Sequence, residues 1–353
     1  MTVVQARGGA VPADGALFAH GEGIGPPSAA TLLGGGHWSW LAVGLLVVAG
    51  GYLVGVHLLR VQGVRWPWGR VVCFLGPGLG GIAVVTVTGV ETYDTTLLSV
   101  HMLQHMMLSM VAPIFLALGA PVTLALRTLP PRGRRLLTSV LHSRVVRVLA
   151  FPLVAYGIFV ASPFILYFSG LYPLSLRSTA VHEVVHLHFL LSGCLFLWPL
   201  IGLDPLPGRW PYPARALLMF LSAPLHAVLG LTIMQSRELL GGDWYPALGL
   251  AWADPAADQR LAGGLLWAGG ELVSVTMLAV LLVQWMRHAD REARRVDRQL
   301  DRQEAAERAA AAHDPAVVRQ PDPGDPAVLA GGSDPVGTIG SAVAGRQGAP
   351  AHD

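Results

Sequence analysis

The sequence predicts an all-α, polytopic membrane protein: a seven-transmembrane helix bundle with its N-terminus outside and its C-terminus cytoplasmic. Three observations carry this. Of 353 residues, 53% are hydrophobic and 13% charged, against about 25% charged in a soluble domain. Seven apolar stretches approach the ~20 residues that a helix needs to cross a bilayer. The loops between them alternate between arginine-rich and arginine-poor, which sets an orientation by the positive-inside rule.

The order along the chain begins with residues 1–37, rich in Gly, Ala and Pro. They lack the basic start and short apolar core of a signal peptide and are expected to be a flexible extracytoplasmic lead-in. Residues 38–286 form the transmembrane domain. Its spans are expected at Trp38–Leu59, Val71–Val90, Leu97–Leu118, Val145–Phe168, Ala180–Ile201, Ala214–Met234 and Gly263–Met286. Prolines 77, 113, 152, 163 and 224 fall within them and should kink helices. Arg60, Arg65 and Arg70 follow span one; Arg127, Arg132, Arg134, Arg135 and Arg144 follow span three; Arg209 and Arg215 follow span five. The intervening loops carry Glu91, Asp94, Glu238, Asp243, Asp254 and Asp258 against few arginines. Residues 287–312 alternate acid and base in a helix-favouring composition, which predicts a charged cytoplasmic helix. Residues 313–353 are Gly, Ala, Pro and Asp-rich, a composition expected to be disordered.

A formal charge of +2 is too small to suggest a nucleic-acid partner. Cys73 and Cys194 lie far apart in apolar segments without a CxxC, which argues against a thiolate site.

The chemistry concentrates in histidine. His101 and His105 are one helical turn apart in an uncharged stretch, and His182 and His186 repeat the spacing. Residues at i,i+4 share a helix face, and polar groups inside a membrane usually face the bundle interior and carry function. With the orientation above, at ~1.5 Å per residue, His101 and His105 lie about 6 and 12 Å below the outer end of span three. His182, His186, His226, Glu271 and Met234 fall at comparable depths. Met102 sits beside the first pair. These eight residues form the expected metal site, with Glu271 orienting a ligand or balancing charge. A helix-packing role is the bland alternative for any single histidine, and His188 points away from His186.

Imidazole suits copper, zinc, iron and nickel, and neighbouring thioethers favour Cu(I). Copper is therefore the leading cargo. Haem held axially by two histidines is the alternative; a copper transporter would need ligands continuing through the inner half.

These residues also carry a family resemblance. His101-Met-Leu-Gln-His105-Met-Met-Leu runs on into Ala112-Pro113 and Leu118-Gly119-Ala120-Pro121-Val122-Thr123. Further blocks are His182-Glu-Val-Val-His186-Leu-His188-Phe, Trp198-Pro199 with Asp204-Pro205, Ser222-Ala-Pro224-Leu-His226, and Trp267-Ala-Gly-Gly-Glu271. In this order the chain resembles the multi-spanning CtaG cytochrome c oxidase assembly proteins of Gram-positive bacteria, over about residues 38–286. The resemblance implies a non-enzymatic factor of the bacterial plasma membrane that assembles an aa- or caa-type oxidase by handling its copper. Expected partners are the oxidase subunits, an extracytoplasmic copper chaperone and the bilayer. The single-span chaperone that shares the CtaG name uses external cysteines; this chain has none there, so that mechanism does not carry over.

Overall fold

The computed structural model describes residues 25–34, 40–206 and 210–313. The expectations for residues 1–24 and 314–353 fall outside these. The described residues contain helices and no strand. Six helices are long and apolar enough to cross a membrane, and a seventh span results if one bent pair counts as a single crossing.

We label them in chain order. α1 (Ala29–Leu33) precedes α2 (Trp40–Val61) and α3 (Trp68–Val87). A short α4 (Val90–Asp94) leads to α5 (Leu98–Leu118). Three short helices follow: α6 (Pro121–Thr128), α7 (Pro131–Leu141) and α8 (Arg144–Leu149). α9 (Pro152–Tyr167) and α10 (Leu171–Arg177) meet at 71°. α11 (Thr179–Ile201), α12 (Tyr212–Gln235), the short α13 (Trp244–Ala247) and α14 (Pro255–His313) complete the chain. The compact unit ends at His288, within α14; the rest of that helix belongs to a second unit.

α5 and α11 form the centre, 61% and 56% buried over their most apolar stretches, against 22% for α2. On α2, Leu46, Val47 and Val54 face outward, as a helix in hydrocarbon requires. Gly193 lets α11 approach α5 closely: a Cβ there would collide with the Ser109 carbonyl oxygen and the Pro113 ring. Pro113 has no N–H, so the helix ladder leaves that carbonyl free for close backbone approach.

Prolines reshape the spans in different ways. Around Pro77 the helix widens into a π-helical stretch, Phe74–Gly80, and before Pro113 into another, Met107–Val111. A wider turn accommodates the ring and the missing donor. Pro163, Pro199 and Pro224 lie inside α-helices. Pro152, by contrast, opens α9 at its first turn. This corrects the fourth span, expected from Val145. Residue 151 is extended, as the position before a proline prefers, and Arg144–Leu149 is a separate helix capped by the Ser143 side chain. α9 alone, at 16 residues, measures ~24 Å, short of a bilayer core; the chain turns at Ser169–Gly170 into α10.

The expected flexible lead-in also needs correction at its end. Residues 25–34 are folded. Ser28 and Thr31 form a capping box, Tyr93 donates its hydroxyl to the Gly25 carbonyl (3.0 Å), and the Gly89 N–H donates to the Gly34 carbonyl (2.7 Å). Gly89 is required there, since a Cβ would strike the Thr31 carbonyl.

Two helices lacking their own N-terminal capping side chain borrow a distant carboxylate. Asp258 of α14 accepts from Ser99 N and Ser99 Oγ at the start of α5. Asp204 accepts from Thr123 N (2.8 Å) and Thr123 Oγ1 (2.6 Å) at the start of α6. Each satisfies donors that a helix N-terminus leaves open. The residue preceding α6, Ala120, is held in the left-handed region (φ 48°, ψ 53°).

Candidate metal centre

The two histidine pairs face each other across α5 and α11. Within each helix the rings are in contact, with centroids 4.0 Å apart for His101 and His105 and 4.2 Å for His182 and His186. Across the helices the separations are 5.4 Å for His101 and His182 and 5.5 Å for His105 and His186. All four are buried, and His101 is 0% exposed.

Helix positions explain the arrangement. Gln104, between the first pair, donates to the Val85 carbonyl (2.7 Å) and so holds α5 against the end of α3. That carbonyl belongs to the last turn of α3, where helices leave acceptors open. Phe189 of α11 stacks on His105 at 4.5 Å.

Asp94 completes the group. Its Oδ2 accepts from His182 Nε2 at 2.9 Å and lies 4.0 Å from His186 Nε2. One donor atom from each of Asp94, His182 and His186 falls within 4.8 Å of the others, the only such group among the described residues. Asp94 ends the short helix α4 and is itself buried. From sequence alone it counted only as a loop acid that sets topology. The signal available was its position four residues before α5, at the same end as His101 and His182.

The 71° turn between α9 and α10 adds a tyrosine wall. Tyr167, ending α9, bonds His105 Nδ1 through its hydroxyl (3.0 Å). Tyr172, opening α10, lies edge-on to His101 at 5.0 Å and shares a hydrogen bond with the Tyr245 hydroxyl.

Several buried ring nitrogens in this group have no hydrogen-bond partner: both of His101, Nε2 of His105 and Nε2 of His186. Leaving such a group unpaired costs on the order of 1–3 kcal/mol, and buried polar atoms in folded proteins are nearly always satisfied. A cluster of open imidazole nitrogens beside a carboxylate is the donor set of a transition-metal ion. The residues fit such an ion.

The other sequence candidates are placed differently. His226 is buried on α12 with Nδ1 2.8 Å from its own helix's Ser222 carbonyl. Together with Met102 and His105 it lines a small cavity beside the cluster. Met234 packs against Gly263 and Gly264 at the contact of α12 with α14. Glu271 is half-buried and makes no hydrogen bond or ion pair among the described residues. His188 faces away, bonded to Ser162 Oγ (2.8 Å).

The chain matches the family model of the cytochrome c oxidase caa3 assembly factor over residues 50–288. Uncharacterized proteins of Mycobacterium bovis and Mycobacterium tuberculosis are each 41% identical to it over 264 residues, covering 72% of this chain and 40% of their own length. A Mycobacterium leprae protein, also uncharacterized, is 39% identical with the same coverage. The chain thus spans about two-fifths of the length of these curated relatives. No solved structure matches. The matched region contains Asp94 and both histidine pairs, and the chain belongs to the family of cytochrome c oxidase caa3 assembly factors.

Proposed function

We propose that this protein is a copper-binding assembly factor of the bacterial plasma membrane. It takes copper from the outer face onto the Asp94 and histidine cluster and hands it laterally to a subunit of an aa- or caa-type oxidase. The observation that carries the reading is the buried Asp94–His182–His186 group, with donor atoms within 4.8 Å of one another and the open nitrogens of His101 and His105 behind it. Family membership supplies the client. Imidazole suits copper, and the thioethers of Met102 and Met106 beside His105 favour Cu(I) as the cargo.

Two alternatives fit less well. A porphyrin needs a flat slot between its axial ligands, whereas these four rings sit at centroid distances of 4.0–5.5 Å. A transporter needs ion-binding groups through the whole bundle, whereas the one group of histidine and carboxylate ligands among the described residues lies at the starts of α5 and α11.

The test combines metal analysis with an optical spectrum. Purified protein should hold copper and lack a Soret band. The double variant His101→Ala, His186→Ala should insert but lose its stoichiometric copper. In a strain lacking the gene, that variant should leave the oxidase copper centre under-filled, with partial rescue by excess copper. Undiminished copper in the double variant overturns the site; a Soret band restores the haem reading.

A further inference from the structure

A small cavity of ≈ 20 Å³ lies beside the cluster, lined by Met102, His105, Met106 and Met110 of α5 and by His226 of α12, among others. It has room for about one water-sized body. From this cavity we infer a second, softer cation site, distinct from the Asp94 group, that takes Cu(I) on thioether and imidazole ligands. The inference rests on the copper reading only for the identity of the natural cargo.

Three thioethers and two imidazoles carry lone pairs in a lining that is otherwise largely apolar, with Phe159, Pro163, Phe189 and Leu266. His226 Nδ1 faces the Ser222 carbonyl at 2.8 Å, and a carbonyl only accepts. Nδ1 therefore carries the proton, and Nε2 is left with its lone pair. Metal-binding histidines are commonly oriented by such a bond from the other ring nitrogen to a backbone carbonyl. The hydroxyl of Ser109, also on the wall, donates to the His105 carbonyl (2.7 Å), and that of Tyr167 is engaged with His105 Nδ1. Thioether sulfur is a weak acceptor, so a water here would be poorly held. Sulfur and neutral imidazole together select a soft monovalent ion.

Two adjacent glycines of α14 seat two of these ligands. A Cβ on Gly269 would occupy the place of Met106 Cε, and a Cβ on Gly270 would lie 3.0 Å from His226 Cβ. The Trp267-Ala-Gly-Gly-Glu271 sequence thereby acquires a purpose: it brings α14 close enough to hold Met106 and His226 at the cavity. His105 borders both this cavity and the Asp94 cluster. Copper can therefore pass from one to the other by ligand exchange at His105, with bonds to Asp94 and His186 breaking as bonds to sulfur form and no change in oxidation state.

The test uses silver(I) alone as the probe on the full chain in detergent, read by equilibrium dialysis and silver-edge X-ray absorption. Wild type should bind two ions, with both nitrogen or oxygen and sulfur neighbours. Asp94→Asn with His182→Ala should keep one ion, sulfur-rich. Met102→Leu with Met106→Leu, which conserves volume, should keep one ion without sulfur and weaken the second by at least about tenfold, 1.4 kcal/mol. Gly269→Ala displaces only the flexible end of Met106 and should lower the sulfur signal in a protein that elutes as wild type. Absence of sulfur neighbours in wild type overturns the inference, as does total loss of silver in the Asp94 and His182 variant. Two-ion binding unchanged by that variant but halved by the methionine variant would sink the Asp94 site and leave this one standing.

Discussion

Asp94→Asn isolates the role of the one carboxylate in the cluster. Asparagine keeps the shape and an acceptor for the His182 N–H, which lies 2.9 Å from Oδ2, but removes the charge. The distance from Oδ2 to His186 Nε2, 4.0 Å, sets the scale of the site. A monovalent cation at ~4 Å from a carboxylate gains about 4 kcal/mol at an effective dielectric of ~20. That corresponds to roughly a thousandfold in affinity; charge shared over two oxygens reduces it to between about a hundredfold and a thousandfold. The assay is an anaerobic competition for Cu(I) against a chromophoric chelator, with a thermal melt as control. The asparagine carbonyl still accepts from His182 Nε2, so a melt within about 1–3 kcal/mol of wild type identifies a correctly folded variant. A fall in affinity below about tenfold, in a protein that melts normally, would refute the assignment of Asp94 as the charge that holds the ion.

Other outcomes follow from the packing and the borrowed caps. Gly193→Ala should cost about 1–3 kcal/mol in a detergent melt, since the Ser109 backbone it meets cannot swing aside. Ala120→Val should cost a similar ~1–3 kcal/mol, because a β-branched residue resists a positive φ. Asp204→Ala should cost about 1 kcal/mol through loss of the α6 cap. Burial pushes the Asp204 carboxyl above its usual range, although hydrogen bonds from Thr123 and Val122 pull it back. The folded state therefore holds that proton more tightly than the unfolded chain, and its contribution is lost as pH rises through the raised value. Melts over roughly pH 4–7 should show this decline in wild type and not in Asp204→Asn.

The histidine pairs were legible because i,i+4 spacing converts directly into a shared helix face, and their partnership across α5 and α11 followed from equal depth. Depth is one coordinate only. Met234 and Glu271 share it, yet their azimuth turns Met234 onto Gly263 and Gly264 and leaves Glu271 without a bond to any histidine among the described residues. Asp94 was hidden for a different reason: it lies on a five-residue helix outside the apolar run, and nothing local marks its pairing with a residue 88 positions later. The turn after Tyr167 was masked by the largely apolar composition from Val148 to Phe168. Pro152 could be read as a kink or a beginning, and only packing decides between them. Similarly, the Gly-rich composition before residue 37 concealed a capping box whose value comes from docking on Gly89 and Tyr93.

The π-helical stretch of α5 determines where the chain can change its length. A π turn holds more residues than an α turn, so Met107–Val111 contains slack. Deleting one residue there can yield an ordinary α-helix whose two ends keep their neighbours. The same deletion between His101 and His105 would rotate one imidazole by about 100° and empty the cluster of half a pair. Single-residue deletions in this span should thus be tolerated within the π-helical stretch and not between His101 and His105.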